Sequence, residues 1–512
     1  MNDEDTRYED TRYEDTRYEA VRSRDARFDG EFFFAVRTTG IYCRPSCPAV
    51  TPKRRNVRFY ATAAAAQGSG FRACRRCRPD AVPGSAAWNV RADVVGRAMR
   101  LIGDGVVDRE GVGGLAARLG YSTRQVQRQL TAEVGAGPVA LARAQRAHTA
   151  RILLQTTELP VTQIAFAAGF ASVRQFNDTI RTVYASTPSQ LRAAAPRGAA
   201  AARSAATPAA GVPLRLAHRG PYQSTPVFDL LAAEAVPGVE TVGGSRGRRT
   251  YRRTLRLPYG TGIVAVEERP GTAAGHRPRA GATGRTAGAT GHADAAHPGG
   301  WLDAQLHLTD LRDLTTAVQR LRRLLDLDAD PYAVDERLGA DARLGPLVAA
   351  RPGLRSPGTA DPDELAVRAL VGAAEAERLV LRYGKTLDAE CETLTHVFPE
   401  ATVLAEAEPG GPLGALTAAL ADGTLRLDPG ADREQARAAL LALPGMDEGT
   451  AAVIRTRALG DPDVAPPGTD APDTWRPWRS YAVRHLRAAA GEFSPPDPNC
   501  GSAGDGSGSV PR

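Results

Sequence analysis

Four of the six cysteines in this chain lie in two close pairs, and their thiols have the chemistry of a metal site. Cys43 and Cys47 form the first pair, and Cys74 and Cys77 form the second. Zinc prefers four soft ligands in a tetrahedron, and two short turns that each present two thiolates supply that arrangement. The spacing therefore predicts a four-cysteine zinc site rather than disulfides or two unrelated pairs.

The residues around these cysteines resemble a known family. Residues 18–80 contain F-D-G-E-F-F-F-A-V-R-T-T-G-I-Y-C-R-P-S-C-P-A and F-R-A-C-R-R-C-R-P-D, which are similar to the N-terminal domain of Ada-type DNA alkylation-response proteins. The resemblance implies that Cys43 accepts a methyl group from a methylated DNA phosphotriester, with the other three cysteines as zinc co-ligands. Thiolate is the nucleophilic form of cysteine, and zinc keeps it deprotonated at neutral pH.

Such a transfer would be stoichiometric, because a thioether is a poor leaving group. It would also remove one negative charge from the zinc site, so methylation should strengthen binding to DNA phosphates. The alternative is a zinc site that only holds the fold, and the spacing of the cysteines leaves this open. Basic side chains next to the cysteines are predicted to contact DNA: Arg44, Arg75, Arg76 and Arg78.

Length and charge set the broad class of the protein. A chain of 512 residues predicts about three domains, and a net charge of +7 favours an anionic partner such as DNA. The sequence shows neither an apolar run long enough to span a membrane nor a signal peptide. Because reduced, metal-bound cysteines suit the cytoplasm, we expect a cytoplasmic protein without a membrane partner.

The chain opens with a repeat that precedes the zinc domain. E-D-T-R-Y occurs three times, and such a low-complexity segment without an apolar face predicts disorder or a frayed helix over residues 1–17. The Ada-type zinc domain is expected over residues 18–91.

Two helix-turn-helix signatures follow in tandem. Residues 115–125 indicate a helix, a glycine turn and a new helix that opens with a Ser/Gln capping box, and residues 164–175 repeat the pattern. Between them, residues 139–154 predict a helix about 24 Å long, which could place two recognition helices in successive faces of the major groove. The pair resembles the AraC-type DNA-binding domain over residues 92–192.

The expected recognition helices are Ser122–Glu133 and Ser172–Tyr184. Their exposed side chains have the hydrogen-bonding groups that base edges require. These candidates are Arg124, Gln127, Arg128, Arg174, Gln175 and Asn177. An activator of this type implies RNA polymerase as a further partner.

The second half of the chain follows an Ala- and Pro-rich linker over residues 193–213. Strand-like stretches at 236–240 and 250–257 and a helical stretch from Leu308 to Leu327 resemble the N-terminal domain of AlkA-type 3-methyladenine DNA glycosylases, over residues 214–350. Residues 271–300 contain no Leu, Ile, Val or Phe, which predicts a disordered insertion with His276, His292 and His297 solvated.

The resemblance continues into a helix-hairpin-helix glycosylase core over residues 351–487, carried by R-P-G-L-R-S-P-G, L-P-G-M-D-E-G-T-A-A and W-R-P-W-R-S-Y. It implies a flipped base and an aspartate that promotes cleavage of the N-glycosidic bond, and Asp470 is the nearest match. Asp447 replaces an expected glycine and adds negative charge where a phosphate should dock. Residues 488–512 are rich in Gly, Ser and Pro and predict a disordered tail.

The predicted fold is multidomain α+β: a small zinc-bound α/β domain, an all-α tandem helix-turn-helix domain, an α+β AlkA N-terminal-like domain and an all-α glycosylase domain. The predicted function is an alkylation response that combines methyl transfer, transcription activation and excision of alkylated bases. One alternative is a regulator with a purely structural zinc site and an inactive glycosylase-like module. Another is a working glycosylase joined to a vestigial regulator.

Overall fold

The computed structural model describes residues 14–79, 93–194, 211–269, 300–391 and 393–491. We name four consecutive parts of it: the cysteine region (14–79), the helix-turn-helix region (93–194), the sheet region (211–350) and the hairpin region (351–491). Helices and sheets occur together in this chain, and the predicted multidomain α+β class is confirmed. No helix within the described ranges is long and apolar enough to cross a membrane.

The cysteine region is a small sheet with two helices. Its elements are α1 (14–22), β1 (Phe33–Val36), β2 (Ile41–Cys43), β3 (Val57–Tyr60), α2 (Ala63–Gly68) and β4 (Arg72–Ala73). The strand order is β3-β1-β2-β4, with β1 antiparallel to both of its neighbours and β2 parallel to β4. The short, aromatic-rich strands bury one another around the cysteines, which form part of the same apolar cluster.

The last copy of the N-terminal repeat belongs to this region. Residues 14–17 lie in α1, where the Glu14 carboxylate pairs with Arg54 at 2.5 Å. The Tyr18 hydroxyl donates to the Pro52 carbonyl oxygen at 2.8 Å. Of the two predicted states of the repeat, disorder or a frayed helix, residues 14–17 therefore adopt the helix, and residues 1–13 lie outside the described part of the chain.

The helix-turn-helix region consists of helices at the predicted places. They are α3 (Val94–Gly103), α4 (Val106–Leu119), α5 (Thr123–Val134), α6 (Pro138–Thr156), α7 (Val161–Ala167), α8 (Val173–Tyr184) and α9 (Pro188–Ala193). The two predicted glycine turns adopt left-handed backbone, with φ of 78° at Gly120 and 83° at Gly169, which glycine adopts without a steric penalty.

The two recognition-helix starts differ in their caps. At α5 the Ser122 hydroxyl accepts from the Gln125 amide while the Gln125 side chain accepts from the Ser122 amide, so the predicted capping box forms. At α8 the Ser172 hydroxyl accepts from the Gln175 amide at 3.2 Å, and the structure gives no return bond from the Gln175 side chain. The second predicted box is thus only half formed.

The sheet region is a five-stranded antiparallel sheet with flanking helices. Its elements are β5 (Val212–Ala217), α10 (Ser224–Ala233), β6 (Glu240–Gly243), β7 (Thr250–Arg256), β8 (Thr261–Glu267), β9 (Trp301–Leu308), α11 (Leu314–Leu324), α12 (Pro331–Gly339) and α13 (Gly345–Ala350). The strand order is β5-β9-β8-β7-β6. Alternate residues of β8 are buried, because one face of the sheet packs on the core.

Three predicted boundaries in this region change. The strand predicted from residue 236 begins at Glu240, and the helix predicted from Leu308 begins at Leu314, because Leu308 still pairs with Gly262 in the sheet. The linker ends before Val212, which pairs with Leu306. Of the predicted insertion, only Gly300 is described, so its three histidines lie outside the described residues.

The hairpin region is mainly helical. Its elements are α14 (Pro362–Val371), α15 (Ala373–Tyr383), β10 (Lys385–Cys391), β11 (Leu394–Val397), α16 (Ala401–Ala407), α17 (Gly411–Ala421), α18 (Arg433–Leu441), α19 (Glu448–Arg457) and α20 (Arg479–Ala489). The antiparallel pair of β10 and β11 was not predicted for an all-α core. Helix α20 extends two residues into the predicted tail, and residues 492–512 lie outside the described part.

The four regions pack against one another. One apolar core joins residues of the cysteine region, the second helix-turn-helix unit and the five-stranded sheet. At another contact, the Arg97 and Arg100 side chains of α3 donate to the carbonyl oxygens of Gly430 and Pro429, each at 2.6 Å. A Cβ atom at Gly430 would lie 2.3 Å from Leu101 Cδ1, so a side chain at this position would displace the buried Leu101.

Candidate metal centre and predicted DNA-contact residues

The sheet of the cysteine region brings Cys43 and Cys74 together. Strands β2 and β4 run parallel, with Tyr42 opposite Ala73. Cys43 is the last residue of β2 and Cys74 directly follows β4, so both cysteines lie at the C-terminal ends of these strands. The Cys74 amide donates to the Tyr42 carbonyl oxygen at 3.0 Å and extends this pairing by one residue. Residues 31 positions apart therefore meet because of strand register.

Two tight turns add the other two thiols. The Cys47 amide donates to the Arg44 carbonyl oxygen at 3.1 Å, and the Arg78 amide donates to the Cys74 carbonyl oxygen at 3.0 Å. The four sulfur atoms lie within 4.8 Å of one another, and all four cysteines are free of disulfides and buried. The predicted cluster of Cys43, Cys47, Cys74 and Cys77 thus forms.

The donor set fits a zinc ion. A tetrahedral site with Zn–S bonds of about 2.3 Å separates its sulfurs by about 3.8 Å, which lies within the observed spread. Hydrogen bonds with the other three thiols, together with burial, raise the pKa of the Cys43 thiol. The buried Cys43 thiol would therefore resist ionisation on its own, and a divalent cation among the four sulfurs would offset the cost of its thiolate form.

Asp29 supports the turn between the first two cysteines. Its carboxylate accepts from the Ser46 amide at 3.0 Å and from the Ser46 hydroxyl at 2.6 Å, and it pairs with the Arg44 guanidinium at 3.2 Å. Asp29 stands in the F-D-G-E motif, but the sequence did not reveal its role because its partners lie 15 and 17 residues away. This carboxylate fixes both residues that frame the turn.

The structure corrects the prediction for Arg44. The residue is buried, with 8% of its surface exposed, and its guanidinium faces Asp29 rather than solvent. Burial of a guanidinium is tolerated because the carboxylate neutralises it. In this conformation Arg44 supports the turn and does not present its charge to DNA.

The other three arginines of the cysteine region differ in their surroundings. Arg75 is exposed but donates to the Ala185 carbonyl oxygen at 2.6 Å and to the Ser186 hydroxyl at 2.8 Å, at the end of α8. Arg76 is exposed, and Arg78 is half-buried with a positive φ of 45°. Arg76 therefore has the accessibility that contact with a phosphate requires.

The predicted base-contacting side chains lie on the outer faces of α5 and α8. All are exposed except Asn177, which is half-buried. Gln127 also donates to the Thr131 hydroxyl at 3.1 Å on the same helix face. The set comprises Arg124, Gln127 and Arg128 on α5, and Arg174, Gln175 and Asn177 on α8. Two solvent-facing polar surfaces result, one for each helix-turn-helix unit.

Asp470 lies at the surface of the hairpin region. Its side chain is 87% exposed and pairs with Arg343 at 3.3 Å. The Arg343 guanidinium also lies 5.7 Å from the ring centroid of Trp475, whose indole N–H donates to Asp341 at 2.8 Å. The predicted catalytic carboxylate is thus held near a buried aromatic residue, and it remains open to solvent.

Asp447 occupies the start of the second hairpin helix. Its carboxylate accepts from the Thr450 amide at 2.9 Å and from the Thr450 hydroxyl at 2.7 Å, so it is the N-cap of α19. These hydrogen bonds lower the pKa of Asp447. The replacement of glycine therefore has a structural role, and the carboxylate occupies an amide that could otherwise face a phosphate.

Comparison with known protein families finds three matches along the chain. The family described as "Metal binding domain of Ada" matches residues 16–80, "Helix-turn-helix domain" matches residues 115–194, and "AlkA N-terminal domain" matches residues 213–361. The first match includes all four clustered cysteines, and the second includes both α5 and α8.

Curated relatives cover one or several of these regions. The "Probable bifunctional transcriptional activator/DNA repair enzyme AlkA" of Mycobacterium tuberculosis is 50% identical over 504 residues, covering 91% of this chain and 94% of the relative. The "Bifunctional transcriptional activator/DNA repair enzyme Ada" of Escherichia coli is 41% identical, covering 30% of this chain and 41% of the relative. "DNA-3-methyladenine glycosylase 2" of the same organism is 32% identical, covering 52% and 93%.

Solved structures similar to parts of the chain include a "DNA methyl phosphotriester repair domain of E. coli Ada". It is 56% identical and covers 14% of this chain and 75% of that chain, with a TM-score of 0.13. A structure of "MBOgg1 in complex with low affinity DNA ligand" is 15% identical and covers 50% of this chain and 99% of that chain, with a TM-score of 0.32.

Proposed function

The chain belongs to the family of bifunctional transcriptional activator/DNA repair enzymes, and on that premise we propose that Cys43 takes up methyl groups from methylphosphotriesters in double-stranded DNA. The cofactor is Zn²⁺, for which the four clustered cysteines provide the ligands. The observation that carries the proposal is the convergence of four buried sulfur atoms within 4.8 Å of one another.

The chemistry is a nucleophilic displacement at carbon. Zn²⁺, when bound by the four cysteines, keeps their sulfurs in the thiolate form at neutral pH. The Cys43 sulfur forms a bond to the methyl carbon while the bond from that carbon to the phosphate oxygen breaks. The electron pair of the broken bond stays on the oxygen, which leaves an ordinary phosphodiester anion and S-methylcysteine.

The surroundings of Cys43 suit an approach to DNA. Asp29 orders the turn that follows the thiol, so the nucleophile does not have to be reoriented when DNA binds. The exposed Arg76 could pair with a phosphate near the methylated one. Loss of one negative charge on methylation would reduce repulsion from the DNA backbone and strengthen binding.

The helix-turn-helix region supports a role in transcription activation. Two exposed recognition helices, α5 and α8, carry side chains that can read base edges. Arg75 connects the loop between Cys74 and Cys77 to the end of α8, so the methylation state could reach the DNA-binding surface directly. RNA polymerase is the partner we propose for the promoter-bound protein.

The sheet and hairpin regions support excision of alkylated bases. A glycosylase relative covers 52% of this chain and 93% of its own length, and the AlkA N-terminal domain family matches residues 213–361. We assign the stabilisation of the departing base's sugar cation to Asp470, whose open position would be enclosed by bound DNA. The Asp447 cap reduces the ability of the hairpin to hold a phosphate, so we expect weak DNA affinity in this half.

The test is to follow both lesions on one DNA. Zinc-loaded protein is incubated with methylated duplex DNA, and methylphosphotriesters and released bases are counted separately. We expect at most one phosphotriester removed per protein molecule, lost in Cys43→Ser, and catalytic base release, lost in Asp470→Asn. Removal of neither lesion by zinc-loaded protein would favour a regulator with a structural metal site and an inactive glycosylase-like module.

A further inference from the structure

Arg219 belongs to the sheet region, and its side chain is buried against the cysteine region. It lies in the loop between β5 and α10, and only 5% of its surface is exposed. Its guanidinium pairs with the Glu31 carboxylate at 2.8 Å and donates to the Asp29 carbonyl oxygen at 2.9 Å. Both partners belong to the cysteine region, 188 and 190 residues away along the chain.

The contact has a clear energetic meaning. A guanidinium is costly to bury unless it is paired with a carboxylate and hydrogen-bonded. Arg219 meets that condition through groups of the cysteine region, so its buried position depends on this region being docked. The sheet region and the cysteine region therefore meet here through a specific, charge-assisted contact.

Asp29 connects this contact to the metal centre. Its main-chain carbonyl is held by Arg219, while its side chain holds Arg44 and Ser46, which lie between Cys43 and Cys47 in the sequence. A shift of the Asp29 backbone would therefore move the carboxylate that orders this turn. Asp29 therefore links the Arg219 guanidinium to the turn between Cys43 and Cys47.

The opposite side of the Arg219 loop is fixed as well. The Arg219 carbonyl oxygen accepts from the Arg355 guanidinium at 2.6 Å, and Arg355 is fully buried at the start of the hairpin region. A Cβ atom at Gly353 would lie 2.3 Å from the Pro221 carbonyl oxygen, so the loop is closely packed there. The loop is thus held on one side by Arg355 of the hairpin region and on the other by its contact with Asp29.

We propose that Arg219 is a positioning residue for methyl transfer, acting through Asp29 to hold the Cys43 turn in its reactive geometry. The sheet and hairpin regions would then support the methyl-accepting site structurally, in addition to forming a second enzyme. The expected effect on the rate of methyl transfer rests on the proposed function of Cys43. The support of the turn between Cys43 and Cys47 by Arg219 does not rest on it, and zinc release tests this support by itself.

The main test uses the full-length, zinc-loaded protein and the Arg219→Met variant, which keeps the aliphatic volume but removes the guanidinium. Arg215→Met is the matched control, because Arg215 lies on β5 with 69% of its side chain exposed and pairs with Asp303. Methyl uptake is measured over time by intact-protein mass spectrometry at increasing concentrations of methylated duplex. Zinc release to a chromogenic chelator is measured in parallel.

We expect Arg219→Met to lower the transfer rate at saturating DNA by up to about a hundredfold, since a misplacement of a reacting group by about 1 Å can cost that much. The DNA concentration for half-maximal rate should not change, and zinc release should be faster. Arg215→Met should match the wild type in all three measurements. If Arg219 acts through Asp29, adding Arg219→Met to Asp29→Asn should lower the rate no further.

Wild-type transfer and zinc-release rates in Arg219→Met would overturn the inference. If the wild type takes up no methyl group, the proposed function fails, and the zinc-release rates alone decide whether Arg219 supports the turn. If Arg219→Met cannot be loaded with zinc, Arg219→Gln replaces it, because this variant also removes the guanidinium but leaves a polar amide beside the buried Glu31 carboxylate. A wild-type transfer rate in Arg219→Gln would then contradict the inference, and a reduced rate would support it.

Discussion

The Arg75 guanidinium donates a hydrogen bond to the main-chain carbonyl oxygen of Ala185 at 2.6 Å. Arg75 lies between two metal-site cysteines, and Ala185 is the C-cap of α8 with a left-handed φ of 49°. The C-terminal end of a helix has unpaired carbonyl groups and a partial negative charge, which a guanidinium satisfies. The Arg75 side chain therefore joins the loop between Cys74 and Cys77 to the second predicted recognition helix, α8.

This contact predicts a local effect of Arg75→Ala. The end of α8 would lose a hydrogen bond worth about 1 kcal/mol, so the amides of residues 183–187 should exchange their hydrogens faster. Native-state hydrogen exchange measures this. Arg76→Ala is the control, because Arg76 is exposed next to it, and exchange in these residues should not change. Equal protection in Arg75→Ala and the wild type would show that the contact does not stabilise the helix end.

In DNA binding we expect the reverse: Arg76→Ala should have an effect and Arg75→Ala should not. We predict that Arg76→Ala weakens binding to duplex DNA and reduces the slope of log affinity against log salt by about one, as expected for one lost phosphate contact. Arg75→Ala should keep the wild-type slope. Fluorescence anisotropy over a salt series decides between them. A reduced slope in Arg75→Ala alone would assign the phosphate contact to Arg75.

Asp326 predicts a pH-dependent stability of the second half of the chain. Burial raises the pKa of this carboxyl to about 6, although it accepts from the Ser356 amide and the Tyr481 hydroxyl. A folded-state pKa above the unfolded one means that ionisation favours unfolding. This penalty is absent below about pH 4, grows as the pH rises to about 6, and is then constant.

Asp326→Asn should therefore stabilise the protein by roughly 1 to 3 kcal/mol at pH 8 and by about a third as much at pH 4.5. Asparagine also suits the left-handed backbone at this position, where φ is 52°. Thermal unfolding of both proteins at the two pH values measures the effect. A variant that is less stable than the wild type at pH 8 would show that the ionised carboxylate is needed there.

We expect a substitution of Asp470 to reduce base excision without changing the stability of the protein. Because its side chain is 87% exposed, Asp470→Asn should leave the unfolding temperature within error of the wild type. Release of alkylated bases should fall by at least about a hundredfold if this carboxylate stabilises the sugar cation. Chromatography of released bases gives the rate, and the exposed Asp473→Asn is the control. Undiminished release in Asp470→Asn would move the catalytic role to another residue.

Short-range patterns in the sequence predicted much of this structure. The cysteine spacing was sufficient for the metal cluster, and periodicity with glycine turns was sufficient for the paired helices. The N-cap role of Asp447 also has a local signal, since aspartate is a preferred residue immediately before a helix.

Long-range contacts account for the predictions that failed or were not made. Arg44 was expected at the DNA surface because it is basic, but its burial depends on Asp29, to which no spacing rule points. Arg219 lies 188 residues from Glu31 in the sequence, so the contact between them follows only from how the regions pack. The boundary of α11 was misplaced because Leu308 suits a strand and a helix equally well.

The location of the transferred methyl group tests the central claim most directly. Zinc-loaded full-length protein is incubated with duplex DNA that contains methylphosphotriesters, digested, and mapped by tandem mass spectrometry. We predict a single added methyl group on the Cys43 sulfur, its absence in Cys43→Ser, and none on Cys47, Cys74 or Cys77. A methyl group on another cysteine, or an unmodified Cys43 in protein that retains zinc, would contradict the account.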